Sequence, residues 1–191
     1  MASIAPSRPW PRVKWTRAGQ LAAIFDGLVE LDGLTEAPPQ EAFSVLRQRD
    51  IHQATRFIAH CLPRLDAIAW AAGCLAAMDN VTSARRLAAR KAVSRWLAEP
   101  SDANRRLAYQ AGEAASFATA EGAACLAVFL SGGSLAPPTQ EQGVQPAAGN
   151  FGQAVAGAVM LATLNDDAPR FAERLARALD TAEQLAAQDR T

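Results

Sequence analysis

The chain has 191 residues, with 19 basic and 19 acidic side chains; a balanced charge argues against a general nucleic-acid binder and gives no basis for adhesion to an anionic membrane. Half of the residues are apolar, enough for one domain with a real core. Alanine fills 44 positions against seven phenylalanines and one tyrosine, and this helix-rich, strand-poor composition predicts an all-α fold.

Residues 1–15 read as an N-terminal arm. Pro6, Pro9 and Pro11 oppose a helix, while Trp10, Val13 and Trp15 are able to dock on the body. The arm lacks a continuous apolar stretch, so it is not expected to be a secretory signal. Residues 16–191 read as a single all-α domain. Thr16 is a candidate N-cap for a first helix to about residue 31, with Leu21, Ile24, Phe25 and Leu28 as its apolar stripe. Gly33 and Pro38-Pro39 punctuate, and a short helix over 39–48 turns Phe43 and Leu46 inward. Asp50 caps a helix over 51–61 with the stripe Ile51, Ala54, Phe57 and Ile58.

Pro63 opens a very apolar helix to about residue 78, whose scarcity of polar side chains predicts the central, most buried element; Asp79-Asn80 breaks it. Ser83, Ser101 and Thr119 cap helices over 83–97, 101–117 and 119–130, and Gly132 is the expected stop of the third. The stretch 131–148, with Pro137, Pro138 and Pro146, is too long and proline-rich for an ordinary helix connection and reads as a crossover. A Gly/Ala-dense helix over 151–164 implies close helix contact. Asp166-Asp167-Ala168-Pro169 then opens a last helix to about residue 187, with the stripe Phe171, Leu175, Leu179 and Leu185. The expected architecture is an irregular bundle of about eight helices, with the crossover before the final pair.

No catalytic, cofactor-binding or metal-binding motif emerges. His52 and His60 are eight residues apart, about 80° around a helix and two turns along it, which is wrong for sharing a metal. Ser131 and Ser134 lie in a glycine turn without the strand-turn-helix setting of a nucleophile elbow, and Gly132-Gly133 lacks the features of a phosphate loop. Cys61, Cys74 and Cys125 sit in apolar contexts and read as buried small hydrophobes of a reducing, cytoplasmic compartment. No apolar run is long enough to predict a transmembrane helix.

Two charge blocks stand out. Asp26, Glu30, Asp32, Glu36 and Glu41 fall in a stretch with no base; Arg85, Arg86, Arg90, Lys91 and Arg95 fall in one with no acid, and their spacing lays them along one broad helix face. Arg105 and Arg106 follow on the next helix. The basic set reads either as a solvated face or as a patch for an acidic partner surface, and the two blocks are also able to face each other. Trp10 and Trp15 are the other candidates, since tryptophan and arginine are enriched at interface hot spots; they either anchor a partner or staple the arm. The candidate partner-binding set is therefore Trp10, Trp15, Arg85, Arg86, Arg90, Lys91 and Arg95, with Trp70 and Trp96 read as core.

The run Phe57-Ile58-Ala59-His60-Cys61-Leu62-Pro63-Arg64 followed by Ala67-Ile68-Ala69-Trp70-Ala71 resembles a bacterial all-α family of unknown function. Residues 96–115, Ser131 to Pro138 and Ala154-Val155-Ala156-Gly157-Ala158-Val159 carry the same resemblance, over roughly 40–185; Ala69 departs from it, where the family has a second tryptophan. The resemblance implies association with type VI secretion effector clusters. It implies an immunity protein that neutralises a cognate toxin or, alternatively, an adaptor that loads an effector onto the spike. On either reading the chain binds a protein and is not an enzyme.

Overall fold

The computed structural model describes residues 9–79, 81–137, 139–165 and 167–189, and these are all-helical with no strand. Expectations placed on residues 1–8, Asn80, Pro138 and Asp166 lie outside the described residues. Among the described residues nine α-helices follow in order: α1 Ala22–Phe25, α2 Pro39–Arg49, α3 Ile51–Cys61, α4 Arg64–Ala76, α5 Ala84–Ala98, α6 Asp102–Ala115, α7 Ala120–Leu130, α8 Asn150–Leu164 and α9 Phe171–Ala186.

Short polar side chains set four of the helix starts, as their sequence positions predict. The Asp50 carboxylate accepts from the backbone N–H groups of His52 (2.7 Å) and Gln53 (3.2 Å). Ser83, Ser101 and Thr119 accept in the same way from Arg86, Asn104 and Gly122. Each bond satisfies a first-turn donor that has no partner within its helix.

The first helix is much shorter than predicted. A 3-10 turn over Ala18–Leu21 leads into the single turn of α1, and Asp26 (φ 47°) and Gly27 (φ 78°) then enter the left-handed region. The N–H groups of Ala18 and Gly19 donate to the carbonyls of Ala37 (2.9 Å) and Thr35 (2.8 Å), so residues 18–37 close into a loop. Thr16 is no cap: its own N–H donates to the Gln20 side chain at 2.8 Å. Leu21 and Phe25 are buried as predicted, but Leu28 is exposed.

The most buried helix is α7, not α4. Every residue of α7 except Leu126 is buried, and it packs against α4, α5, α6 and α8. Helix α4 buries Ile68, Trp70, Ala71 and Leu75 but turns Ala69, Gly73 and Ala76 to solvent. Small apolar residues on both faces make an exposed side look like an interior one. The Trp70 indole donates to the Ala178 carbonyl at 2.8 Å and ties α4 to α9. Two boundaries also move. Helix α6 stops at Ala115 because Ser116 has φ 71°, and the last helix is preceded by a 3-10 turn over Ala168–Arg170.

The crossover is an organised structure. Helix α7 ends at Ser131, and the left-handed residue is Gly133 (φ 69°) rather than Gly132. The Ser134 hydroxyl accepts from the N–H groups of Ala136 and Val144, both at 3.0 Å, and Leu135 N–H donates to the Val144 carbonyl at 2.7 Å. From α6, buried Arg105 donates to the carbonyls of Phe129 (2.7 Å) and Ser134 (2.8 Å) and to the Asp102 carboxylate, while stacking 4.6 Å from the centre of the Phe129 ring. Arg106 pairs with Asp102 at 2.8 Å and also reaches the Ser134 carbonyl. Ser131 to Ser134 is thus the receiver for an arginine staple.

Candidate functional site

Helix α5 does not carry its five bases on one face. A helix turns about 100° per residue, and the buried stripe Ala89, Val93 and Trp96 runs between two groups of cations. On one side Arg86 and Arg90 turn in to Glu121 of α7, with Nε–Oε2 2.8 Å and Nε–Oε1 3.0 Å. The Glu121 side chain is completely buried. Burial raises the pKa of its carboxyl, but the Arg86 and Arg90 hydrogen bonds outweigh that and hold it below the ordinary carboxylate range. On the other side Arg85, Lys91 and Arg95 are exposed and form no ion pair among the described residues. Of the acidic block, Glu36 pairs with Arg17 at 2.9 Å, and none of its five members pairs with α5 among the described residues.

The two arm tryptophans also separate. Trp10 is buried, its ring centre 5.3 Å from that of Phe43, so it belongs to the core and is closed to a partner in this conformation. Trp15 is half-buried; its indole N–H donates to the His60 carbonyl at 3.3 Å and the ring lines an open cleft. Arg12 holds the arm between them through a two-point pair with Asp66, Nε–Oδ2 2.8 Å and Nη2–Oδ1 3.1 Å.

That cleft has a volume of about 570 Å3. The arm (Arg12, Lys14, Trp15) forms one wall, the turn between α3 and α4 (His60 to Arg64) the floor, and the start of α8 (Ala148, Phe151) the far side. Among the described residues no aspartate or glutamate lines it. Lys14 Nζ lies 4.3 Å over the Trp15 ring centre, and the Arg64 guanidinium 5.9 Å from that of Phe151. Sequence reading missed Lys14, Arg64 and Phe151, which lie far apart in the chain; the only local signal was a lysine beside Trp15.

His60 is the joint beneath the cleft. Its Nδ1 lies 2.7 Å from the Arg56 carbonyl and its Nε2 3.1 Å from that of Gly149, and the ring sits edge-on to Phe25. A Cβ at Gly152 would come within 2.5 Å of the imidazole, so glycine is what lets α8 approach. Burial lowers the His60 pKa, and the two carbonyls oppose this only in part. With both ring nitrogens against carbonyls, the side chain is poorly placed as a general base. His52 sits apart, edge-on to Phe171. Among the described residues no three His, Cys, Asp or Glu side chains converge as a metal site. Burial pushes the Cys74 and Cys125 thiols up to about 12 and raises Cys61 well above its ordinary value, keeping all three uncharged at neutral pH.

A second groove of about 700 Å3 runs between α4 and α9, over Trp70 and Cys74. Its arginines have acidic neighbours: Arg170 (3.7 Å) and Arg174 (3.1 Å) meet Asp167, and Arg177 meets Glu173 at 3.2 Å.

These features define an all-helical protein with preformed, cation-bearing surfaces and, among the described residues, no helix long and apolar enough to cross a membrane. The chain belongs to a family of unknown function, DUF6931, whose model matches residues 43–186. No curated protein and no solved structure matches it. The matched residues supply the floor and far side of the cleft, while the arm that forms its other wall lies outside the match.

Proposed function

We propose that this chain is a non-enzymatic protein-binding protein, and specifically a cytoplasmic immunity protein that binds and neutralises a cognate bacterial type VI secretion toxin. The resemblance carried by residues 57–71 supports the toxin assignment. The observation that supports binding is the outward edge of α5, where Arg85, Lys91 and Arg95 stand exposed and without ion pairs among the described residues. The helix holds their backbone in place, so meeting an acidic surface costs only side-chain freedom. A chain with no net charge does not act as a simple acidic plug against a basic nuclease. If the target is a nuclease, inhibition works from an exosite or by distortion.

The test is co-expression with the proposed cognate toxin, in a strain lacking secretion. Restored growth is expected, along with loss of rescue when Arg85, Lys91 and Arg95 are all changed to Glu. Undiminished toxicity, with secretion failing when this gene is deleted, would replace the immunity role with that of an effector adaptor. Rescue by the triple variant at full strength would discard the α5 edge as the contact.

A further inference from the structure

The cleft under the arm is a separate surface, independent of the α5 edge and of the toxin assignment. We propose that it binds an acidic peptide segment of a partner protein, seating a side-chain carboxylate between Lys14 and Arg64 with an apolar or aromatic neighbour against Trp15 and Phe151.

Charge is the first argument. Lys14 lies on the arm and Arg64 on the floor, neither forms an ion pair among the described residues, and none of the described residues lining the cleft is an acid. Arg12 also reaches the cleft, but Asp66 already engages two of its nitrogens. A cleft lined by cations, with apolar walls that keep the local dielectric low, focuses a positive field and favours an anion.

The second argument is the placing of the rings. Each free cation lies over an aromatic face, Lys14 on Trp15 and Arg64 on Phe151. A nucleic-acid base needs an open ring face on which to stack, and here the cations cover those faces. A carboxylate meets the cations instead, leaving the Trp15 ring edge and the half-buried Ile24 side chain for apolar contact. The balanced overall charge points the same way, since a nucleic-acid partner calls for a basic surface.

Rigidity is the third. Trp10 anchors the arm in the core, Arg12 holds it to α4, and the Trp15 indole holds it to the end of α3. The His60 ring packs against Gly152 of α8 on the far side. Both walls are therefore fixed before a ligand arrives, which lowers the ordering cost of binding. A volume of about 570 Å3 lies within the usual range for a ligand cleft.

The full chain, labelled with nitrogen-15, is titrated with a blocked synthetic peptide alternating glutamate and phenylalanine. The Trp15 indole resonance is assigned by its loss in Trp15→Phe. A saturable shift of that resonance is expected. The Lys14→Glu, Arg64→Glu double variant should bind at least roughly tenfold more weakly, the milder Lys14→Gln, Arg64→Gln pair should fall between, and thermal melting should not change. The absence of a saturable shift would overturn the proposal. So would equal binding by the double variant, by a glutamine-for-glutamate peptide, or by free succinate in place of the peptide. Tighter binding of an oligothymidylate than of the acidic peptide would assign the cleft to nucleic acid instead.

Discussion

The crossover turn and the arm cleft are both places where irregular chain meets cationic side chains, and they treat the charge in opposite ways. At the turn, Arg105 is buried and its guanidinium is met by the Phe129 carbonyl, the Ser134 carbonyl, the Asp102 carboxylate and the Phe129 ring. At the cleft, Lys14 and Arg64 are exposed, each backed by one ring and by no acid among the described residues. Helix α5 shows the same division within fifteen residues: Arg86 and Arg90 on buried Glu121, with Arg85, Lys91 and Arg95 in solvent. A buried charge is tolerated only when it is paired. The enclosed arginines therefore hold the fold, and the exposed cations are the ones available to another molecule.

The largest effect should come from removing the acid that the enclosed arginines share. Glu121→Ala strands two guanidiniums and should destabilise the fold by about 3–5 kcal/mol in urea unfolding. The pH dependence checks the cause. Because the Glu121 carboxyl titrates below its ordinary 4.5 in the folded state, it contributes stability above that pH and loses it as pH falls through the folded value. The variant should lose that part of the acid sensitivity. An equal acid slope in both proteins would contradict the ion-pair account.

Arg105→Ala should follow, at about 2–4 kcal/mol, since it leaves the buried Phe129 carbonyl without this donor and the half-buried Ser134 carbonyl with Arg106 alone. Faster hydrogen exchange of the Val144 and Leu135 amides would show that the crossover has come loose. Gly133→Ala tests the receiving side of the same staple. Its φ of 69° disfavours any side chain, and a Cβ would lie 3.1 Å from the Arg105 guanidinium. A cost of about 1–2 kcal/mol is expected. Gly132→Ala, at a position without positive φ, should cost less. If the two cost the same, the left-handed turn does not set the geometry.

What could be read from sequence was local chemistry. Asp50, Ser83, Ser101 and Thr119 start helices because a short oxygen-bearing side chain satisfies free N–H groups nearby, and that needs no tertiary information. The proline-rich crossover and the all-α class follow equally directly from composition. What could not be read depends on distance along the chain. The first helix stops where Asp26 and Gly27 turn left-handed, and the chain then folds back so that residues 35–37 meet the amides of Ala18 and Gly19. Alanine packs readily inside or out, so α4 looked as buried as α7. Glu121 lies 31 residues from Arg90 and 35 from Arg86, and nothing in an isolated glutamate announces that it will be the acid at the centre of a pair of helices. Trp10 and Trp15 share an arm and a residue type, yet one faces Phe43 and the other a cleft whose remaining walls come from α3, α4 and α8.

The smallest stability effect makes the sharpest test of the division. Lys14→Glu and Arg64→Glu, alone or together, should change unfolding free energy by less than about 0.5 kcal/mol, because neither cation has an ion-pair partner among the described residues to lose. Each loses only a cation–π contact at an exposed site, itself a weak interaction in water. Arg12→Glu is the internal control on the same wall. It should cost more, because it breaks the two-point pair and sets a second carboxylate against Asp66, which is largely buried. Chemical denaturation of the three single variants decides the matter. If Arg64→Glu destabilises as much as Arg12→Glu, the Arg64 charge is structural, and the distinction between enclosed and available cations fails at the cleft.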